Sequence, residues 1–454
     1  MMEQLLPKKA VVIGAGLAGL VSALSLQKAG LEVTLIDQRK QVGGLCGTFR
    51  LENREFVIAC NDFGKGLVKL LRELGVNFPF NHKKSSVFYR GQWFNAAPDL
   101  KMLWQLRSEW RNIFSLLGGI IAQQFPNRKP QSIEKFSNRL TSAGAVNDLS
   151  KLIAYFMGVR PSDIQTSFFG LDGKYNYGYT TMACPIGGPQ AMANAIADVF
   201  LQQGGKLLLN TRYTQHNKQG HHFYAEVTDG EPRILEADYI VDTREQPSLY
   251  PTDSKRGLPL SMLCLAIKND FPYPENTHTL TYYEPDVSQW FGKLDQGIQP
   301  EHFGFHVFKS DLAPNPDNTY TLNLYFYLPR GVNQLEDGER AIYSEYLLNR
   351  LEKLLPGINN HLVFRRLLTP DDFVALHGLS SRVMPFIASR EKPQNSSSEA
   401  GYFYAGHSVH PPGEHAGAAA LSGALVAQHI ISEKSLFNTE TLAGGHHENA
   451  HQQA

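Results

Sequence analysis

The residues of this chain whose types and spacing imply chemistry come first in the stretch VVIGAGLAGLVSAL, residues 11–24, where Gly14, Gly16 and Gly19 fall in a G-x-G-x-x-G pattern. Each glycine answers a separate demand of dinucleotide binding: Gly14 permits a tight turn, Gly16 lets backbone approach a pyrophosphate, and Gly19 lets a helix pack closely on a strand. The helix that starts at Leu17 and Ala18 then offers free N–H groups and a favourable dipole to the phosphates. Asp37 stands about 20 residues further on, where a carboxylate accepts hydrogen bonds from an adenosine ribose.

The elements that must position these residues are legible around them. Lys9 to Gly14 reads as a short buried strand, Leu17 to Ala29 has the Leu, Val and Ala spacing of a helix, and LEVTLID at 31–37 reads as the second strand. The chain has 454 residues, 42% hydrophobic and 19% charged, which is the composition of an ordinary globular protein with room for more than one packed unit. Lys+Arg and Asp+Glu are equal at 43 each, so no basic excess calls for a nucleic-acid partner. Cys46, Cys60, Cys184 and Cys264 are scattered without metal spacing, and the N-terminus lacks the pattern of a signal peptide. These features imply reduced thiols and a cytoplasmic setting. The longest nearly unbroken apolar run, residues 113–122, is half of the roughly 20 residues a membrane-spanning helix needs, so no transmembrane segment is expected.

RKQVGGLCGTF, residues 39–49, places Gly43 and Gly44 directly after the second strand, where a plain NAD-dependent dehydrogenase would continue into another crossover helix. With Thr48 nearby, this resembles the N-terminal signature of the flavoprotein superfamily of amine oxidases and phytoene desaturases. The segment 179–211 resembles that family's Pro-x-Gly-Gly turn, here Pro185 to Gly188, opening a helix that leads to a strand. The stretch that follows it, with Tyr213, resembles the hairpin on the adenine side. GYFYAGHSVHPPGEHAGAAALSGALVAQHI, residues 401–430, resembles the closing flavin motif, with Gly406, Gly413, Gly417 and Gly423 on the family's glycines and the helix from Ala416 aimed at the ring. The segments 258–291 and 318–329 resemble the phytoene desaturase branch, which acts on long polyenes.

The resemblance implies one FAD, held non-covalently, since no Cys or His lies in an attachment motif. It implies an α/β fold: a Rossmann-type FAD-binding domain assembled from residues 1–95, 183–255 and 370–433, an inserted α+β substrate domain from 96–182 and 256–369, and a flexible tail from 434. The alternating pattern TYTLNLYFYL belongs to the substrate domain. His446, His447 and His451 lie in the tail without a scaffold, so no metal site is expected. A single dinucleotide fingerprint argues against a built-in NAD(P)H site and sends electrons to dioxygen, a quinone or another soluble acceptor.

Three departures from the family's pattern bear on chemistry. Glu414 and His415 replace small or apolar residues at the flavin-facing turn and are the candidate acid and base. His407 stands where amine oxidases usually carry an acidic residue bonded to the ribityl chain. REFVIACNDFG, residues 54–64, lacks the family's Phe-Asp-x-Gly, leaving Asn61 or Asp62 to supply a polar contact. Two apolar features leave alternatives open. Trp104, Trp110, Phe114, Leu116, Leu117, Ile120 and Ile121, with Arg107 and Arg111 on the polar side, form either a core helix or an interfacial helix admitting a lipid-soluble substrate. Tyr155, Phe156, Phe168, Phe169, Tyr175, Tyr177 and Tyr179 either line a pocket or form a packing layer. The reading is an FAD-dependent oxidoreductase, phytoene desaturase-like, removing hydride from an apolar or mixed small molecule, with peripheral membrane contact allowed and no oligomeric state implied. The alternatives are an amine or amino-acid oxidase, and a flavin-free lipid-binding module like the Rab GDP dissociation inhibitors.

Overall fold

A strand buried on both faces must be apolar at nearly every position, and the first strand, KAVVI at Lys9–Ile13, is buried at four of its five residues. In the computed structural model, which describes residues 7–60, 63–123, 129–170, 174–178, 182–252, 256–379, 392–413 and 416–444, this strand is the centre of a five-stranded sheet. The strand order is Tyr402–Tyr404, Tyr239–Asp242, Lys9–Ile13, Glu32–Ile36, Lys206–Leu208, and every pairing is parallel, with Val11 opposite both Ile240 and Thr34. The helices Leu17–Lys28, Gly188–Gln202 and Ala416–Gly444 cover one face through Leu20, Leu24, Ile196, Phe200, Ala420 and Ala427. An antiparallel three-stranded sheet, Arg212–Gln219, His222–Thr228 and Pro232–Ala237, contributes Phe223, Ala225 and Val227 to the core that also holds Val11, Ile13 and Ile36. Segments from three distant parts of the chain thus build this α/β unit, as the resemblance implies.

The second unit is an eight-stranded sheet in the order Leu362–Leu368, Leu260–Lys268, Thr319–Tyr327, Phe305–Phe308, Thr277–Tyr282, Phe80–Tyr89, Gln92–Asn95, with Met182–Pro185 also paired to Phe80–Tyr89. The strands Phe80–Tyr89 and Gln92–Asn95 were expected in the first domain. They join the second sheet instead, because Val87, Tyr89 and Phe94 are buried in the core with Leu280, Phe305 and Leu324, and the break drawn after residue 95 falls inside this sheet. The strand Thr319–Tyr327 is buried at all nine positions, so its alternation separates two covered faces rather than core from solvent.

Two other readings are settled by exposure and hydrogen bonding. The helices Leu100–Gln105 and Trp110–Gln123 bury no residue fully: Trp110, Phe114, Leu117 and Ile121 form an exposed stripe, while Met102, Ile113 and Leu116 on the other side pack against the core of the second unit. The last helix runs to Gly444, so the first part of the expected flexible tail is helical; SLFNTETLA contains no Gly or Pro to stop a helix already nucleated upstream. His446, His447 and His451 lie outside the described residues.

The last helix meets the first at Gly423, where an added Cβ would stand 2.2 Å from the Ala18 carbonyl oxygen. Gly423→Val is therefore expected to overpack this crossing by about 3 kcal/mol or more, read as a drop in thermal midpoint or a loss of soluble protein; an unchanged midpoint would show that the helices separate at no cost.

Candidate active site

A cavity of about 950 Å³ lies between the two units, near the upper end for ligand sites. Its lining draws Gly14, Gly16, Leu17, Ala18, Asp37, Gly43, Gly44, Tyr213, Gly406, His407 and Ala416 together from five stretches of chain, all of them residues singled out from sequence. Gly19, Thr48, Gly413 and Gly417 are not among its lining residues.

The three fingerprint glycines divide by role. Gly14 has φ +98°, its N–H donates to the Ile36 carbonyl at 2.8 Å, and a Cβ there would lie 2.5 Å from Thr243 Oγ1. A Cβ on Gly19 would lie 1.8 Å from the Gly14 oxygen. Both are demanded by the fold itself. A Cβ on Gly16 would meet only the Gly44 Cα, at 4.0 Å, and its φ of −70° suits any residue. Among the described residues nothing requires glycine there, so the backbone at Gly16 is open to close approach. Gly43, at φ +109°, bridges to Gly16 and donates its N–H to the Ala15 carbonyl at 2.8 Å, which folds the glycine doublet against the fingerprint loop.

Asp37 locks this loop. Its two carboxylate oxygens accept the Ala15 N–H at 2.7 Å and the Arg39 N–H at 2.8 Å, and each retains lone-pair capacity for a ribose hydroxyl. Burial raises its carboxyl above the usual range, against the pull of those N–H donors.

The sequence reading missed a polar cluster beside Tyr213. Arg244 forks onto Asp242, Nε to Oδ1 at 2.9 Å and Nη2 to Oδ2 at 2.7 Å, and Tyr402 donates to the same carboxylate at 2.9 Å. The guanidinium lies 4.7 Å from the Tyr213 ring centroid, so a cation and an aromatic face are held together at the cavity wall where Thr211, Arg212 and Thr214 also line it. The only sequence signal was a strand ending in VDTR, which does not disclose a partner 160 residues away.

On the closing turn, burial, with Lys392 adding to it, lowers the His407 imidazole to about 4, so it is neutral at physiological pH. Lys392 donates from Nζ to the Gly413 carbonyl at 2.6 Å and also to that of His407, and the Gly406 N–H donates to Ser422 Oγ at 3.1 Å. Gly413, at φ +120°, packs on the Tyr177 ring, which answers one of the aromatic alternatives as packing. Thr48 donates from Oγ1 to the Glu55 carboxylate at 2.6 Å. Glu414, His415, Asn61, Asp62 and Tyr179 lie outside the described residues.

The second unit supplies an apolar wall: Leu260, Phe308, Tyr325 and Tyr327 from its strands, with Phe156, Met157 and Leu379. Both tyrosine hydroxyls point into backbone, Tyr325 to the Ile58 carbonyl at 2.7 Å and Tyr327 to that of Tyr155 at 3.0 Å. His306, 4% exposed and 4.7 Å from the Tyr155 ring centroid, is the imidazole of this wall.

Comparison with known proteins agrees with this geometry. The model of the flavin containing amine oxidoreductases matches residues 17–431. A 4,4'-diapolycopen-4-al dehydrogenase of Metabacillus indicus is 23% identical over 89% of this chain and 93% of its own length. The neurosporene-forming phytoene desaturase of Rhodobacter capsulatus is 24% identical over 93% and 94%. Among solved structures, cyclohexylamine oxidase from Brevibacterium oxydans superimposes with TM-score 0.62 at 14% identity, over 94% of this chain and all of that one.

Because its Cβ would displace only a ligand, Gly16→Val is expected to leave the fold intact while lowering bound flavin by more than about tenfold, equivalent to about 1.4 kcal/mol. The ratio of flavin to protein absorbance and the thermal midpoint of the apoprotein separate the two effects; full flavin content in the variant would remove Gly16 from the binding loop.

Proposed function

The chain belongs to the flavin-containing amine oxidoreductase family and is an FAD-dependent oxidoreductase, and from that premise we propose that it withdraws a hydride and a proton from a long, apolar, lipid-like molecule. FAD supplies the hydride acceptor. The chain's own residues fit the dinucleotide: the Gly16 vacancy for the pyrophosphate, Asp37 for the ribose, and Tyr213 against Arg244 at the polar end.

The observation that carries the substrate class is the wall of Phe156, Met157, Leu260, Phe308, Tyr325, Tyr327 and Leu379. None of these side chains carries a charge, and the tyrosine hydroxyls are already committed to backbone carbonyls. An ammonium or carboxylate desolvated against this wall would lack a counter-charge there, whereas a hydrocarbon chain loses nothing on entry. The named relatives that act on carotenoid chains support the same class. His306, set in this wall, is the proposed proton acceptor, because an imidazole can take the proton that leaves as the hydride departs.

A lipid-like substrate has to be drawn from a membrane, and the exposed stripe offers the surface for it. Trp104 is 69% and Phe114 67% exposed, Arg107 lies over the Trp104 ring at 4.6 Å and Arg111 over the Trp110 ring at 5.4 Å. Aromatic and aliphatic groups flanked by arginines suit an anionic lipid surface. Among the described residues, no helix is long and apolar enough to cross a membrane.

Two measurements test this reading. Mixed anaerobically with a micellar acyclic polyene, the protein is expected to lose the visible absorbance of its flavin, and to keep it with cyclohexylamine or L-amino acids. His306→Asn should slow that bleaching by about a hundredfold or more with flavin content unchanged; bleaching by amines alone, or full speed in His306→Asn, overturns the assignment. Separately, replacing Trp104, Trp110 and Phe114 by Ser should reduce co-sedimentation with anionic vesicles at least about tenfold, and wild-type protein that stays in the supernatant would rule out the membrane surface.

A further inference from the structure

Two of the four cysteines, without any cysteine-spacing motif between them, are brought together on the cavity wall. The hairpin Thr48–Leu51 and Arg54–Val57 pairs from Leu51 with Arg54 back to Thr48 with Val57. Its hydrogen bonding continues beyond the open end: the Ile58 N–H donates to the Gly47 carbonyl at 3.0 Å, and the Ala59 and Cys60 N–H groups donate to the Leu45 carbonyl at 3.2 and 3.0 Å. These bonds bring the turn Gly44–Cys46 against Ala59 and Cys60. The Cys60 side chain raises the Cys46 thiol above its ordinary range, which places the two side chains beside each other. Cys184 and Cys264 are buried in separate strands of the second sheet, on opposite sides of its path.

We propose that Cys46 and Cys60 form a reversible dithiol–disulfide couple that exchanges two electrons with the FAD held in the same cavity. The geometry supports it on two counts. Both residues line the cavity alongside Gly14, Gly16, Gly43 and Gly44, and both sit on a hairpin extension tied by backbone hydrogen bonds that oxidation does not break. Oxidation of the pair breaks two S–H bonds and forms one S–S bond; the two electrons and two protons released convert oxidised FAD to its reduced form. The reverse exchange reopens the disulfide and restores oxidised FAD. The neighbouring Cys60 and burial hold the Cys46 thiol well above the usual thiol range, and Cys60 is the less buried residue of the pair, so it is the one that an external disulfide or oxidant reaches. The couple gives the flavin a two-electron reserve in a chain with a single dinucleotide fingerprint. It rests on FAD binding and is independent of the substrate class.

The test uses the FAD-loaded protein and does not require substrate. Treatment with diamide followed by unfolding and thiol counting should leave two of the four cysteines titratable, and peptide mass mapping should find Cys46 linked to Cys60. Anaerobic dithionite titration should then consume four electrons per flavin in the diamide-treated protein, and two after prior reduction with dithiothreitol and desalting. Cys60→Ser should consume two in both states. Four free thiols after diamide, a different linkage, or a mapped disulfide that adds no electrons to the titration would each overturn the proposal. If Cys60→Ser loses its flavin, the mapping and electron count on the wild-type protein still decide the matter. A colourless preparation would instead refute FAD binding, and failure of every polyene would touch only the substrate class.

Discussion

The structure depends on backbone meeting backbone at the start of the first helix. Gly19 presses against the Gly14 carbonyl on one side, and Gly423 of the last helix presses against Ala18 on the other. Side chains at those points would hold the helix off the sheet and the last helix off the first. The loop between Gly14 and Leu17 would then lose both its curvature and its helix N-terminus. The curvature of this loop is consequently a by-product of close packing, and Gly16, which the packing does not need, is the position there that the proposed dinucleotide would explain. Asp37 joins the two by tying the Ala15 N–H to the end of the second strand.

The second unit grips the strand Arg54–Val57 and Ile58 beyond it through a row of polar side chains on a buried strand. Thr321 donates to the Glu55 carbonyl at 2.8 Å, Asn323 to that of Val57 at 2.7 Å, and Tyr325 to that of Ile58 at 2.7 Å. Leu322, Leu324 and Phe326 on the opposite face of the same strand belong to the core of the second unit. One strand thus anchors one core and positions the wall of the cavity between the units, which explains why it is buried at every position although its sequence alternates.

The parts legible in sequence are those whose physical demands are local. A glycine pattern at a strand–helix turn, a carboxylate closing the next strand, a glycine doublet and a closing glycine-rich turn each leave a mark within a dozen residues, and eleven of the residues read in this way line one cavity. What escaped the reading depends on partners distant in the chain. Asp242 and Tyr402 are joined across 160 residues, and the apolar wall comes from strands whose faces cannot be assigned without the sheet. Strand Phe80–Tyr89 has a pattern compatible with either sheet, and only its pairing with Thr277–Tyr282 assigns it. The helix Trp110–Gln123 read more readily as core than as interface because hydrophobic spacing reports which residues share a face, not whether anything covers that face. Cys46 and Cys60 appeared unrelated because the hairpin between them leaves no cysteine-spacing signature.

The row Thr321, Asn323 and Tyr325 grips the segment from Glu55 to Ile58 by its carbonyl oxygens. An attachment through the main chain is indifferent to which side chains that segment and its continuation carry toward the ligand. The neighbouring positions, Ala59 and Cys60, can therefore drift across lineages, or be rewritten in the laboratory to reshape selectivity, while the surface bearing them stays where it is. This region of the fold behaves as an interchangeable panel on a fixed frame.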